Sequence, residues 1–341
     1  MGIHGGDIIG RNIDMDFSVN LNPLGMPEAL RQALTDAVDK CCIYPDISSS
    51  FLRRKTALRR DLAEEDVLAG SGASEILMAI VHAIHPAKVL IPVPSFYGYE
   101  YVADAAGADK IFHVMKADEY EPDEGLMDSI SDDVDLIFLA NPNNPTGKLI
   151  DRSYMIDLLK KCRDKKIRVV LDECFIDFCG EDHSMTDLVR EYDNLLVVRA
   201  YTKIFAIPGV RLGFLICTDR ELNKQIAKQL PEWNVSTFAQ AAGVVCADEQ
   251  GYIFKTVEYV KNEREYMSGR LREMGVWVCS GEADFLLIKC DIPLYDLLLK
   301  RGILIRDCEN YRGLTRGYYR IGIRTREEND RLLKVMGEYL G

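Results

Sequence analysis

The sequence predicts an α/β protein with a mostly parallel, buried sheet, followed by a smaller α+β unit. Short β-branched apolar runs, "KVLIPVP", "DLIFLANP", "RVVLDE" and "LLVVRAYT", alternate with amphipathic stretches such as "RSYMIDLLKKCRDKK". Continuous apolar strands separated by helices are the pattern of a parallel sheet covered on both faces. The last hundred residues read differently. A long charged helix around 252 to 274 precedes "VWVCS", "ADFLLIKC", a helix near 294 to 301, "GILIR", "GYYRIGI" and a final helix from Glu327. At roughly 150 residues per domain this length suggests about two domains. The larger unit is expected over residues 46–245, with residues 1–45 and 246–341 forming an N-terminal arm plus the smaller unit.

Each element has a local cause. Pro27 opens a helix through about Lys40, since proline is at home where a helix begins. "GSGASE" at residues 70 to 75 leads into an apolar helix over 74 to 85, where free backbone N–H groups and the helix dipole favour an anion. Strands follow at 88 to 92, 134 to 140, 167 to 171 and 195 to 200.

Charge and composition exclude several classes. Against 54 acidic residues stand 42 Lys and Arg, a net charge of −12, and no basic run tracks a phosphate backbone or a lipid surface. Nucleic acid is not an expected partner. No apolar stretch approaches the roughly 18 residues that span a bilayer, and "MGIHGGDIIG" has neither the basic start nor the apolar segment of a secretion signal. No membrane is expected, and the protein reads as cytoplasmic. The ten cysteines contain no CxxC pair and read as free thiols. His82 and His85 in "HAIH" read as helix-end histidines, with no cluster that would make a metal site.

In open α/β sheets ligands bind beyond the carboxyl ends of the strands. Four polar segments fall at such ends: "PVPSFYGY", "NPNNPTG", "DECF" and "YTK". Singly they are weak signals, because a Gly-Ser-Gly before a helix is an ordinary turn and an isolated Asp172 caps or pairs locally. Together they assemble one set of parts: an anion cradle, an aromatic at Phe96, an amide at Asn144, an acid at Asp172, an amine at Lys203 and a cation at Arg211. Those parts hold a phosphorylated aromatic aldehyde, and pyridoxal 5'-phosphate fits. A lysine at the edge of the apolar run "AYTKIFAIPGVRLGF" loses its proton more easily than one in water, and so becomes a nucleophile.

The ordered set "GSGASE", "PSFYGY", "NPNNPTG", "DECF", "TKIFAIPGVRLGF" and "RIGIRTREEN", covering residues 70 to 329, resembles the fold-type I pyridoxal-phosphate enzymes of the class I/II aminotransferase superfamily. The resemblance implies a large domain with a seven-stranded sheet and a homodimer with shared active sites. It also implies that Lys203 bonds covalently to the cofactor and Asp172 keeps the pyridine nitrogen protonated, so that the ring is an electron sink. Asn144 would bond the ring hydroxyl oxygen and Phe96 would stack on the ring. Ala73, Ser74, Thr202 and Arg211 would bind its phosphate, with Tyr44 reaching the neighbouring subunit's cofactor. Arg320 would grip the substrate carboxylate with its planar fork.

Two branches of that superfamily are similar, threonine-phosphate decarboxylase of the cobalamin pathway and histidinol-phosphate aminotransferase. "HGGDI", "DFSVNLNPLG", "FAIPGVRLG" and "GILIRDCENYRGL" resemble the first, as does Phe175 where the second usually has a tyrosine. By the same resemblance His4, Asn20 and Arg306 would hold the substrate's own phosphate. The stretch between "HGGDI" and "DFSVN" is shorter than the resemblance to the decarboxylase implies, which bears on the lid over the substrate phosphate, and "TREEN" at 325 to 329 is more typical of the aminotransferase. The expected substrate is a small phosphorylated amino acid. Decarboxylation is expected ahead of transamination with 2-oxoglutarate of a histidinol-phosphate, aromatic or phosphonate substrate. A sensor domain fused to a DNA-binding module is a separate class, for which this acidic chain has no added helix-turn-helix.

Overall fold

In the computed structural model, which describes residues 5–340, the apolar runs become the centre of a seven-stranded sheet. The strands in chain order are β1 (Met15–Asp16), β2 (Val67–Gly70), β3 (Lys88–Val93), β4 (Asp109–Val114), β5 (Leu136–Ala140), β6 (Arg168–Asp172), β7 (Leu195–Ala200), β8 (Gly213–Ile216), β9 (Trp277–Val278), β10 (Phe285–Lys289), β11 (Ile303–Leu304), β12 (Arg306–Asp307) and β13 (Tyr318–Gly322). The large sheet has the order β2-β8-β7-β6-β5-β3-β4. From β4 to β7 neighbours are parallel, and β8 alone runs against both β7 and β2.

Alternation along each strand divides the core in two. Val169 and Leu171 of β6, with Val197 of β7, enter one apolar cluster; Val170, with Val198 and Ala200, enters the other. Successive side chains of a strand point to opposite faces, so a run apolar at every position is what a sheet covered on both sides requires. Three of the seven strands were not read from the sequence. The edge strand β4 is half-buried along most of its length. The remaining two, β2 and β8, have only 4 residues each and merge into the motifs beside them.

The C-terminal elements fall close to their expected places. Helices span Gln250–Glu273, Leu294–Leu299 and Arg326–Leu340, around an antiparallel sheet of order β12-β13-β10-β9. The segment read as the single strand "GILIR" is divided: β11 pairs in parallel with β1 of the N-terminal segment, and β12 pairs with β13. The long helix joins the units, since its Ile253 and Val260 pack in the large-sheet core while Met267 and Leu271 pack with Ile321 and Ile323. Near the start of the chain, Pro27 precedes the helix Glu28–Ala37, which continues as a tighter turn to Lys40. Its Leu30 is buried in the large-sheet core.

Candidate active site

The chain order reverses between β3 and β5, and a cleft of about 370 Å³ opens beyond the carboxyl ends of β3, β5, β6 and β7. This is where an open α/β sheet leaves room for a ligand. Of the residues singled out in the sequence, Ala73, Ser74, Phe96, Asn144, Asp172, Thr202, Lys203, Arg211, Asn20, Arg306 and Arg320 all line it. Tyr44 does not: it is 80% exposed, with its ring 4.9 Å from that of Trp233. His4 lies outside the described residues.

One wall is an anion cradle. The helix Ala73–Ile84 starts after β2 with no side chain capping its first turn, which leaves backbone donors and the positive end of the dipole for a ligand. Gly72 has φ 88°, and a Cβ there would come within 2.6 Å of the Arg211 guanidinium. Glycine therefore permits both the turn and the approach of the cation. Beneath, a Cβ on Gly213 of β8 would meet the Ala73 backbone nitrogen at 2.6 Å. This contact holds the cradle down on the sheet.

Asp172, the last residue of β6, is held from two sides. The Tyr99 hydroxyl donates to its Oδ2 at 2.8 Å, and the Cys174 backbone N–H donates to its Oδ1 at 2.9 Å. Tyr99 is buried, stacked on Phe138 at 5.1 Å between ring centroids. Burial, and then the Asp172 charge, push its phenol well above the ordinary value. It is thus a neutral donor aimed at a carboxylate.

Lys203 follows β7 in the short turn Tyr201–Ile204 and is partly buried at the cleft floor. Burial lowers its pKa; Cys174 and Asp284 act in the opposite sense, and Arg320 and Arg211 add to the lowering. The N-terminal segment grips the same turn, with Asn22 Nδ2 donating to the Ile204 carbonyl at 2.7 Å and to Thr256 at 2.8 Å.

Opposite stand two arginines from the smaller sheet. Arg306 of β12 and Arg320 of β13 are directly paired across the ladder, which sets their side chains next to each other on one face. Arg320 donates to Asn144 Oδ1 and to the Ser18 carbonyl, the latter at 2.8 Å, and its guanidinium lies 5.4 Å from the Phe285 ring centre. Arg306 donates to Asn310 Oδ1 at 2.7 Å and lies 5.1 Å from the Tyr311 ring centre. Arg320 Nε and Asn20 Oδ1 are buried with no hydrogen-bond partner among the described residues. Like charges side by side, with an orphaned Arg320 N–H, suit an anion, whereas the orphaned Asn20 Oδ1 is an acceptor and calls for a donor.

Behind the sheet lies a group that sequence reading missed. Glu173, next to Asp172, is fully buried, and its carboxylate lies 3.8 Å from Arg199. Arg199 also donates to Asp177 at 2.6 Å and to Glu181 at 3.0 Å. Tyr99 escaped too, although it stands in the quoted "PSFYGY".

The sheet order and the cleft define the fold-type I class of transferases. The family model "Aminotransferase class I and II" matches residues 12–336, and the chain belongs to that family. It is 32% identical to the threonine-phosphate decarboxylase of Salmonella typhimurium, over 99% of this chain and 96% of that protein. It is 28% identical to a histidinol-phosphate aminotransferase of Methanococcus maripaludis, over 97% and 92%. The solved histidinol-phosphate aminotransferase of Clostridium acetobutylicum superposes with a TM-score of 0.91 at 32% identity, covering 96% of this chain and 99% of that one.

Proposed function

We propose that this protein is a pyridoxal 5'-phosphate enzyme acting on a small phosphorylated amino acid, and that it decarboxylates L-threonine O-3-phosphate. The cleft suits the cofactor on three counts. An uncapped helix start beside Arg211, at a glycine that admits no Cβ, suits its phosphate. Asp172, held by Tyr99, is aimed to accept a ring N–H, and Lys203 has a lowered pKa for covalent attachment. When bound, the cofactor supplies an electron sink for the pair released at Cα.

The remaining work belongs to the chain's own residues. Phe96 covers the ring face, Asn144 meets the ring oxygen, and Ala73, Ser74, Thr202 and Arg211 take the phosphate. Arg320 binds the substrate carboxylate as a fork, while Arg306, Asn20 and His4 receive the substrate phosphate. Once carbon dioxide has left, Lys203 would deliver the proton that takes its place on Cα. The observation that carries this reading is the cross-strand pair Arg306 and Arg320, two cations set for two anionic groups on one substrate. Phe175, which lines the cleft without a hydroxyl, favours the decarboxylase branch.

The likeness to two histidinol-phosphate aminotransferases supports a second reading, transamination with 2-oxoglutarate. The chain is read as a homodimer in the cytoplasm, with exposed Tyr44 reaching the partner's cofactor; exposed Ile43, Ile47 and Phe51 around it support a covered face. Residues 46–245 are taken as the large domain, and 1–45 with 246–341 as the arm and small domain, although the arm's helix Glu28–Ala37 packs on the large core.

Arg306→Met tests the substrate assignment. Wild-type enzyme is expected to turn over L-threonine phosphate far better than L-threonine. In the variant KM for the phosphorylated substrate should rise by roughly tenfold to a hundredfold, the worth of about 1.5–3 kcal/mol for a hydrogen bond to a charged group. Equal use of both substrates by the wild type would overturn the phosphate assignment.

A further inference from the structure

Asp284, just before β10, is fully buried, and neither of its carboxyl oxygens has a hydrogen-bond partner among the described residues. Its backbone carbonyl accepts from Ile323 N at 2.8 Å, which fixes it beside the end of β13, the strand of Arg320. The next residue, Phe285, packs against the Arg320 guanidinium. Among the described residues, the charged and titratable groups around Asp284 include Lys203 from the turn after β7, Arg320 from β13, Arg324 beyond it, the Cys179 thiol, and Arg264 of the long helix, which donates to the neighbouring Ala283 carbonyl. Buried polar groups are nearly always paired, so a carboxyl with both oxygens orphaned, within electrostatic reach of two cations of a ligand cleft, calls for a task.

We infer that Asp284 is the internal counter-charge of the cleft, taking up a proton from solvent when a carboxylate ligand binds Arg320. The inference rests on the reading of Arg320 as the carboxylate anchor. With the anchor free, its charge supports the Asp284 carboxylate, as that of Lys203 does while its amine is unattached. A ligand anion on Arg320 cancels that support, and the buried carboxyl accepts a proton, so that the pocket's net charge is unchanged. Burial raises Asp284 to about 7 against the opposing pull of Lys203 and then Arg320. Proton uptake on binding therefore sets in where Asp284 is ionised in the free enzyme. The sign follows by linkage: ligand affinity is flat while Asp284 is protonated in the free enzyme and falls with rising pH once it is ionised there, by up to about tenfold per pH unit.

The test uses holoenzyme and propionate, which offers a carboxylate without an amine and is ionised throughout the range. Its affinity is read from the cofactor's visible absorption between pH 6 and 9 for wild type, Asp284→Asn and Arg320→Lys. Affinity should fall with pH in the wild type and stay level in Asp284→Asn. The difference between the two isolates Asp284 from any proton on Lys203. An infrared difference spectrum of the wild type, which needs no variant to fold, should gain a protonated carboxylic-acid band as propionate binds. Identical pH profiles in wild type and Asp284→Asn, or no such band, would overturn the inference while leaving the Arg320 reading intact if Arg320→Lys loses propionate. Propionate binding that Arg320→Lys leaves unchanged would overturn both.

Discussion

Asp172 illustrates how a residue's task is set by its neighbours. A carboxylate at the end of a parallel strand is common, but this one receives a tyrosine hydroxyl and a backbone N–H, one on each oxygen. Tyr99→Phe removes one of the two donors and little volume. A hydrogen bond to a charged group is worth about 1.5–3 kcal/mol, so kcat/KM is expected to fall by roughly tenfold or more. Because Asp172 would hold a ring proton less firmly, the pH titration of the holoenzyme's absorption should shift as well. A titration that matches the wild type would reduce Tyr99 to a packing residue. Asp172, Lys203 and Arg320 were legible in the sequence because their residue types stand in an ordered series of motifs. Tyr99 was not, because "PSFYGY" offers three rings and only the fold decides which turns inward: Tyr97 is 38% exposed and Tyr99 1%. Asp284 gave no signal, since an acid before an apolar strand normally reads as a solvated strand end.

Among elements, the parallel strands β6 and β7 are united at their carboxyl ends by Arg199, which gathers Glu173, Asp177 and Glu181 on the face opposite the cleft. Glu173 in turn accepts from the Met185 N–H at 2.7 Å and from Ser184 at 2.7 Å. Burial raises the Glu173 pKa, and Arg199 is the largest influence lowering it. Removing one partner of such a network strands the others in the interior, at a cost of about 3–5 kcal/mol. Arg199→Leu is therefore expected to unfold at markedly lower denaturant, measured by the urea midpoint at constant slope. A midpoint unchanged from wild type would show that the network contributes nothing net. The strands that bear motifs were legible because apolar runs ended in unusual polar residues. Half-exposed β4 and the four-residue β2 and β8 had no such contrast, and the division of "GILIR" depends on pairing with a strand nearly three hundred residues earlier, which local pattern cannot encode.

For the molecule as a whole, the cleft is a product of two units meeting. The large sheet provides the anion cradle, Asp172 and Lys203, while the antiparallel sheet brings Arg306 and Arg320 to face them, with the long helix packed into both cores. Ser18 and Asn22 of the N-terminal segment tie the two sides, one to Arg320 and the other to the lysine turn. Which bond at Cα breaks depends on how that junction turns the substrate, a rotation that a list of motifs does not specify. The most direct measurement is the product made when purified holoenzyme meets L-threonine phosphate with and without 2-oxoglutarate. Carbon dioxide is expected in equal amount in both, with no glutamate. Glutamate formed only when 2-oxoglutarate is present, without carbon dioxide, would contradict it and make the protein a transaminase.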